Sequence, residues 1–405
     1  MYAISHDLYD IIDRFIDRDE LPLKKEIKVA IAELFLNNIL VDNVISEADE
    51  INKYLNQRKT VIEDIGHVYF LPTLGCNLRC KYCVIGNKVV NKKYEFMDDE
   101  TIRQSVNFIE HKFGFNKVKI YLFGGEPSLA INQNILFMKL LNKTKISAEY
   151  SIITNGYAWE EKDVDDLIEL GVSTFQITLD GTEAIHNKRR VNENGEGTYQ
   201  HIIDNIKMLS EKKVNICIRI NIDNENVDEI TYLLDYLNDM GLNKRIILSI
   251  NPVDPSDHSL QNGYSIDVLE KFDGIFKKAF SMGFDIMPWA RGCSTVSKGI
   301  IAIGPNGDIY KCPAFVGRSL KTIGNINDGF YNKFTNNRVE KLSKKCRLCK
   351  YLPICHGGCL AIKENLGEEF CFYDANHIIL NSYATNKYNF TKKEIDYNRL
   401  IKHYK

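Results

Sequence analysis

The sequence predicts an α/β fold: a partial (β/α)6 barrel, with a small helical module before it and a loop-rich, cysteine-rich domain after it. Three observations carry this. Six short apolar runs alternate with amphipathic helical stretches between residues 67 and 251, the order that builds parallel βα units. The unusual residues of that region all follow the apolar runs. Eleven cysteines fall into two groups, three at 76–83 and seven at 293–371, with Cys217 standing alone.

Composition sets the frame. The chain is 44% hydrophobic and 26% charged with a net charge of -2, which suits a folded protein and gives no reason to expect a nucleic acid or a membrane surface as partner. The opening MYAISHDLYDIIDRFIDRDE is acidic and lacks the apolar stretch of a signal peptide. No segment has the apolar length of a membrane span. The expectation is a cytoplasmic chain, in which clustered cysteines point to metal rather than disulfides.

Residues 1–60 read as helices. HDLYDIIDRFI and KKEIKVAIAELFLNNIL space their apolar residues helically, and SEADEINKYLNQ opens with a Ser cap and an acidic turn. They are either a small helical or winged-helix module or a cap on the next domain.

The barrel is expected over 61–290. Its strands are VYFLP (68–72), VKIYLF (118–123), EYSIIT (149–154), TFQITL (174–179), NICIRINI (215–222) and RIILSIN (245–251). After them come, in turn, GCNLRCKYC, GGEP, TNG, LDG, NIDNEN and NPVD. A parallel barrel carries its site at the carboxyl ends of its strands, so six segments converge on one mouth.

Residues 291–375 lose regular periodicity, although IAIGPNGDIY reads as a hairpin turning at Asn306-Gly307. A loop-rich region with a modest apolar core is plausibly stapled by metal. A polar, Tyr- and Asn-rich helical tail occupies 376–405.

The first cysteine group reads Cys76-x3-Cys80-x2-Cys83. A 4Fe–4S cube takes one thiolate per iron, so three thiolates leave one iron open to a substrate or cofactor. Structural zinc would need a fourth ligand, and His67 lies at the wrong end of the strand to supply it.

With its Tyr82 before the third cysteine, this loop resembles that of the radical SAM superfamily. The resemblance implies that Cys76, Cys80 and Cys83 hold a 4Fe–4S cluster whose open iron is chelated by S-adenosylmethionine, giving a 5′-deoxyadenosyl radical on reduction. It implies that Gly124, Gly125 and Glu126 of GGEP meet the methionyl amine. Arg190 would pair with the carboxylate, Thr178 would reach the ribose and Asn155 would line the adenosine site. The stretch QITLDGTEAIHNKRR resembles the family's SLDG…HDxxR, with Thr178 in place of Ser and Asn187 in place of Asp.

The second group is Cys293-x18-Cys312, then Cys346-x2-Cys349-x5-Cys355-x3-Cys359, then Cys371. It resembles the SPASM domain, which carries two auxiliary 4Fe–4S clusters; a pair of zinc knuckles is the other reading. The resemblance implies that Cys346, Cys349, Cys355 and Cys371 hold the outer cluster, and that Cys293, Cys312 and Cys359 hold the inner one. The inner cluster would then have an iron with no cysteine, because Cys217, the spare thiol, reads as a core residue.

SPASM relatives mostly modify peptides or proteins, so the resemblance implies a ribosomally made precursor peptide as substrate and an external electron donor such as flavodoxin or ferredoxin. A thioether crosslink is the favoured product, because Pro313 stands where the sulfatase-maturating branch has an acidic residue. Formylglycine generation in a sulfatase and simple electron transfer are the alternatives, as is a zinc-stapled interaction protein. The N-terminal helices would be a reduced peptide-recognition module. Asp180 and Asp254 are the candidate acid/base residues.

Overall fold

The computed structural model describes residues 65–83, 85, 95–253, 265–287, 299–331, 358–359, 361, 378–379, 382–383 and 385–387. The expected N-terminal module, Asp254, and Cys293, Cys346, Cys349, Cys355 and Cys371 lie outside these residues.

All six expected strands form: β1 Gly66–Phe70, β2 Lys117–Leu122, β3 Ser147–Thr154, β4 Val172–Thr178, β5 Asn215–Ile222 and β6 Ile246–Pro252. They pair in parallel in chain order. Between them run α1 Asp99–His111, α2 Ile131–Leu141, α3 Glu161–Glu169, α4 Glu183–Arg189, α5 Tyr199–Ser210 and α6 Ile230–Asp239. Local chemistry starts α1: the Asp98 carboxylate accepts from Thr101 N at 2.7 Å, and Asp99 and Glu100 follow where the helix N-terminus favours negative charge.

The alternation of each strand divides its residues between two environments. Val68 and Phe70 point to the helices, and Phe70 stacks on Phe137 of α2 at 3.9 Å. His67 and Tyr69 take the other, concave face, where Tyr69 stacks on Tyr121 at 4.6 Å. In β5, Ile216, Ile218, Ile220 and Ile222 belong to the main apolar core. Cys217 is buried on the opposite face, which it shares with Arg219 and Asn221.

The sheet runs further than the six strands. A helix α7, Ile266–Ser281, leads to a short β7, Asp285–Ile286, parallel to β6. At the other side β8, Ile300–Ile303, pairs in parallel with β1. The expected hairpin follows: β9, Asp308–Tyr310, returns antiparallel to β8, and Gly307 sits at φ 77° in the turn. β10 Thr322–Asn325 and β11 Gly329–Phe330 complete one open sheet in the order β11-β10-β9-β8-β1-β2-β3-β4-β5-β6-β7. Among the described residues this sheet has eleven strands and does not close on itself. From the tail, Tyr383 packs on Phe276 and Phe280 of α7 and donates to Ile286 O at 3.3 Å. Among the described residues no helix is long and apolar enough to cross a membrane.

Candidate active site

The three-cysteine loop leaves the carboxyl end of β1 and is tied down along its length. Thr73 Oγ1 accepts from Gly75 N at 3.1 Å and donates to Glu95 O at 2.7 Å. Arg79 N donates to Val191 O at 2.8 Å, and the Arg79 guanidinium donates to Cys76 O at 2.7 Å. Cys76 is buried, while Cys80 and Cys83 are half-buried. Burial, helped by nearby Glu126 and Cys80, pushes the Cys76 thiol up to about 12. Burial also pushes Cys80 up to about 11, although the adjacent Arg190 charge pulls it back.

The Cys76 and Cys80 thiols therefore stay protonated unless a cation takes them, and iron binding would release their protons. The donor set fits an iron–sulfur cluster. Two N–H groups already aim at the Cys76 sulfur: Leu78 N at 3.4 Å and Asn155 Nδ2 at 3.8 Å. Among the described residues no three Cys, His, Asp or Glu side chains converge as the ligands of a single ion do. A cube asks for something else, one thiolate at each of three separate corners.

GGEP packs directly against this loop. Gly125 N donates to Thr73 O at 3.1 Å and Glu126 N to Gly75 O at 2.9 Å. A Cβ on Gly124, itself at φ 141°, would run into Thr73 O, and one on Gly125 into Leu74 O and Gly75 O. The two glycines thus serve the approach of one backbone to another. Glu126 is wholly buried. Its Oε1 accepts from Ser128 N at 3.0 Å and Thr154 Oγ1 at 2.6 Å, and its Oε2 from Asn155 N at 2.7 Å. Burial raises its pKa and these three donors pull it back. A carboxylate can accept about four hydrogen bonds, so about one acceptor position remains for a ligand ammonium.

A second network closes the other side of the loop around Tyr82. Burial holds its phenol well above the usual pKa, so it stays protonated and donates to Asp180 Oδ2. Arg190 donates to the Tyr82 oxygen at 2.8 Å, and the Arg189 guanidinium lies over the Tyr82 ring, 5.1 Å from its centroid. Asp180 is fully buried, and its Oδ1 accepts from Asn221 N at 2.9 Å. With both oxygens engaged, its carboxylate acts as an anchor for Tyr82 and β5. Arg189 donates to Asp223 at 2.7 Å and to Glu225 at 3.2 Å. Arg190 Nε is buried with no hydrogen-bond partner. An orphaned guanidinium donor beside a thiol loop fits a ligand carboxylate.

His186 fixes the strap that carries both arginines. Asp180 N donates to His186 Nδ1 at 3.3 Å, so the proton sits on Nε2, which faces Thr198 Oγ1 at 3.2 Å. Thr198 Oγ1 in turn donates to Arg190 O at 2.7 Å. Burial, reinforced by the two arginine charges, keeps this imidazole neutral. Asn187 Oδ1 accepts from Thr198 N and Tyr199 N, each at 2.9 Å. Only an acceptor is needed there, and the amide oxygen supplies it.

The remaining expected residues divide. Asn155 meets Asn77 and Cys76. Thr178 is half-buried at the end of β4, in register with Arg219. Cys312 and Cys359 come together in one apolar cluster with Tyr69, Leu74, Ile85 and Phe123. Leu74 lies two residues before Cys76, Ile85 two residues after Cys83, and Phe123 immediately precedes GGEP. Two cysteines of the second group thus border the same apolar cluster as residues that flank the first group. The sequence motifs do not single out Arg189, His186, Asn221, Asp223 or Asn226, whose Nδ2 donates to Asp180 O at 2.7 Å. Three of these lie in the strand-end loop NIDNEN; the other two sit in the HNKRR stretch.

An open parallel barrel with a thiol loop after its first strand, closed by a GGE turn and a buried arginine, defines the radical SAM class. The family model "Radical SAM superfamily" matches residues 70–237, and the chain carries a radical SAM domain there. It is homologous to anaerobic sulfatase-maturating enzymes and to SkfB. The cysteine-type sulfatase-maturating enzyme of Clostridium novyi (strain NT) is 26% identical over 71% of this chain and 86% of that enzyme. The sporulation killing factor maturation protein SkfB of Bacillus subtilis (strain 168) is 24% identical over 42% of this chain and 38% of its own length. The solved structure "Native anSMEcpe with bound AdoMet" superposes with a TM-score of 0.63 at 20% identity, over 84% of this chain and 98% of that one, which establishes the same fold. The chain thus carries a radical SAM domain and is related to sulfatase maturases and SkfB.

Proposed function

We propose that the chain is a peptide maturase that abstracts a hydrogen atom from a ribosomally made precursor peptide and installs a crosslink, a thioether being the favoured bond. In this reading Cys76, Cys80 and Cys83 hold the cluster that S-adenosylmethionine binds, and Cys293, Cys312, Cys346, Cys349, Cys355, Cys359 and Cys371 serve two auxiliary 4Fe–4S clusters. When bound, the first cluster and S-adenosylmethionine supply a 5′-deoxyadenosyl radical. Arg190 Nε and the remaining acceptor position on Glu126 orient the methionyl group. Leu74, Ile85 and Phe123 border a buried apolar cluster beside the loop and would help to exclude water there.

The observation that carries the reading is that Cys312 and Cys359 pack on the same buried apolar cluster as Leu74, Ile85 and Phe123, which flank the cysteine loop and GGEP. It supports a substrate held between the two cysteine groups. Forming a thioether removes one carbon-bound hydrogen atom, one thiol proton and one electron from the peptide. The balance would be met with the hydrogen atom passing to the 5′-deoxyadenosyl radical, the proton to buffer and the electron to the auxiliary cluster that Cys312 and Cys359 would help to hold. Pro313 opens the 3-10 turn Pro313–Phe315 directly after Cys312, so no carboxylate stands there to serve as the base of the sulfatase route.

Sulfatase maturation is the second reading, favoured by the longer match to the Clostridium novyi enzyme. One experiment separates them. The reconstituted chain, with S-adenosylmethionine and a reduced flavodoxin, is given a cysteine-containing peptide encoded beside it and, separately, a sulfatase-motif peptide. Crosslinking predicts loss of two hydrogens from the first peptide together with loss of one alkylatable thiol. Loss of hydrogen sulfide with gain of oxygen in the second peptide, and no change in the first, would reverse the assignment.

A further inference from the structure

We propose that Asn155 is a positioning residue for the three-cysteine loop, and that the hydrogen bond its amide donates to Cys76 Sγ raises the reduction potential of the cluster there. The inference rests on the reading that Cys76, Cys80 and Cys83 hold that cluster. It gives Asn155 a task other than lining the adenosine site.

The geometry leaves the amide little choice. Asn155 N donates to Glu126 Oε2 at 2.7 Å, fixing the backbone at the end of β3. Asn155 Oδ1 accepts from Tyr157 N at 2.8 Å. A carbonyl oxygen is required for that contact, so the amide cannot be flipped and Nδ2 must take the opposite side. There its two hydrogens find two acceptors, Asn77 Oδ1 at 2.8 Å and Cys76 Sγ at 3.8 Å. Cys76, Asn77 and Asn155 are each at most 9% exposed, so water does not compete for these bonds.

A donor aimed at a ligating sulfur stabilises the more negative, reduced state of a cluster more than the oxidised one. Hydrogen bonds to the sulfurs are among the protein's means of setting cluster potential. Glu126, which holds the Asn155 backbone, belongs to GGEP. The turn after β2, the turn after β3 and the first cysteine are therefore one hydrogen-bonded unit. This arrangement eases electron entry into a cluster whose reduction starts the chemistry.

The test is a potentiometric titration of the anaerobically reconstituted full chain, followed on the paramagnetic signal that shifts when S-adenosylmethionine is added. That shift assigns the signal to the three-cysteine cluster. Asn155→Asp keeps the shape and the acceptor for Tyr157 N but loses the donor; Asn155→Ala loses the whole side chain. Both should retain iron and titrate at more negative potential than the parent, the Asp variant furthest because it adds negative charge. Equal potentials in loaded variants and parent would overturn the inference, and so would loss of iron from both variants, which would make the role one of loop folding alone. A parent chain with no S-adenosylmethionine-sensitive cluster would instead sink the cluster assignment itself.

Discussion

Replacing Gly125 by Ala is expected to abolish cofactor cleavage while leaving most of the barrel folded. The new Cβ would be driven into the carbonyl oxygens of Leu74 and Gly75. Both obstacles are backbone, so no side chain can swing aside. The residue before Cys76 or the turn after β2 has to move, breaking the bonds from Gly125 N to Thr73 O and from Glu126 N to Gly75 O. Overpacking of this kind costs ~3 kcal/mol or more, which is about a hundredfold in the population of the closed loop. Iron content per chain and 5′-deoxyadenosine formation should fall together, while far-ultraviolet circular dichroism stays close to the parent's. Unchanged activity in this variant would mean that the loop and GGEP do not close as one unit.

Arg190→Leu should have the next largest effect, on stability as well as on cofactor binding. The guanidinium is 5% exposed and shares the Tyr82 hydroxyl with the buried Asp180. Removing the cation takes a charged donor from the Tyr82 hydroxyl that bridges it to Asp180. Losing such a donor from a buried network costs ~1–3 kcal/mol. Arg190→Lys keeps the charge but replaces a planar fork by a point donor, so it should recover stability more than affinity for S-adenosylmethionine. Denaturant midpoints and equilibrium binding of S-adenosylmethionine check the two halves of this expectation separately. If Lys restored both fully, the orphaned Arg190 Nε would have no part in holding the cofactor.

Much of this arrangement could be read in the linear order of residues, and the reason is physical. Parallel strands buried on one face and packed under helices show as short apolar runs between amphipathic stretches, so all six barrel strands and their carboxyl-end loops were visible. The hairpin at Asn306-Gly307 was visible because its turn requires a residue at positive φ. The pairing of β8 with β1 was not, since it joins Ile300–Ile303 to His67–Phe70 across more than half the chain, and four apolar residues do not name their partner.

The same limit applied inside the site. The Tyr82, Asp180, Arg190 and Asn221 network draws on four segments, and only the approach of β4 and β5 to the first loop brings them together. The sequence places Asn155 at a strand end beside the adenosine site, and its contact with Cys76 appears only in the fold. Whether an amide faces a nucleoside or a thiol depends on where Tyr157 N takes its oxygen. Asn187 shows the converse: the amide that stands in place of Asp meets the local need, because two backbone N–H groups require only an acceptor.

The central claim is that Cys76, Cys80 and Cys83 leave one iron open and that S-adenosylmethionine fills it. Chromatography of 5′-deoxyadenosine from the iron-loaded chain under reducing, anaerobic conditions tests it most directly, beside a variant with all three cysteines replaced by Ala. Formation of 5′-deoxyadenosine by the parent and none by the variant is the expected result. Intact S-adenosylmethionine in a fully loaded and reduced parent, or equal cleavage by the variant, would contradict it.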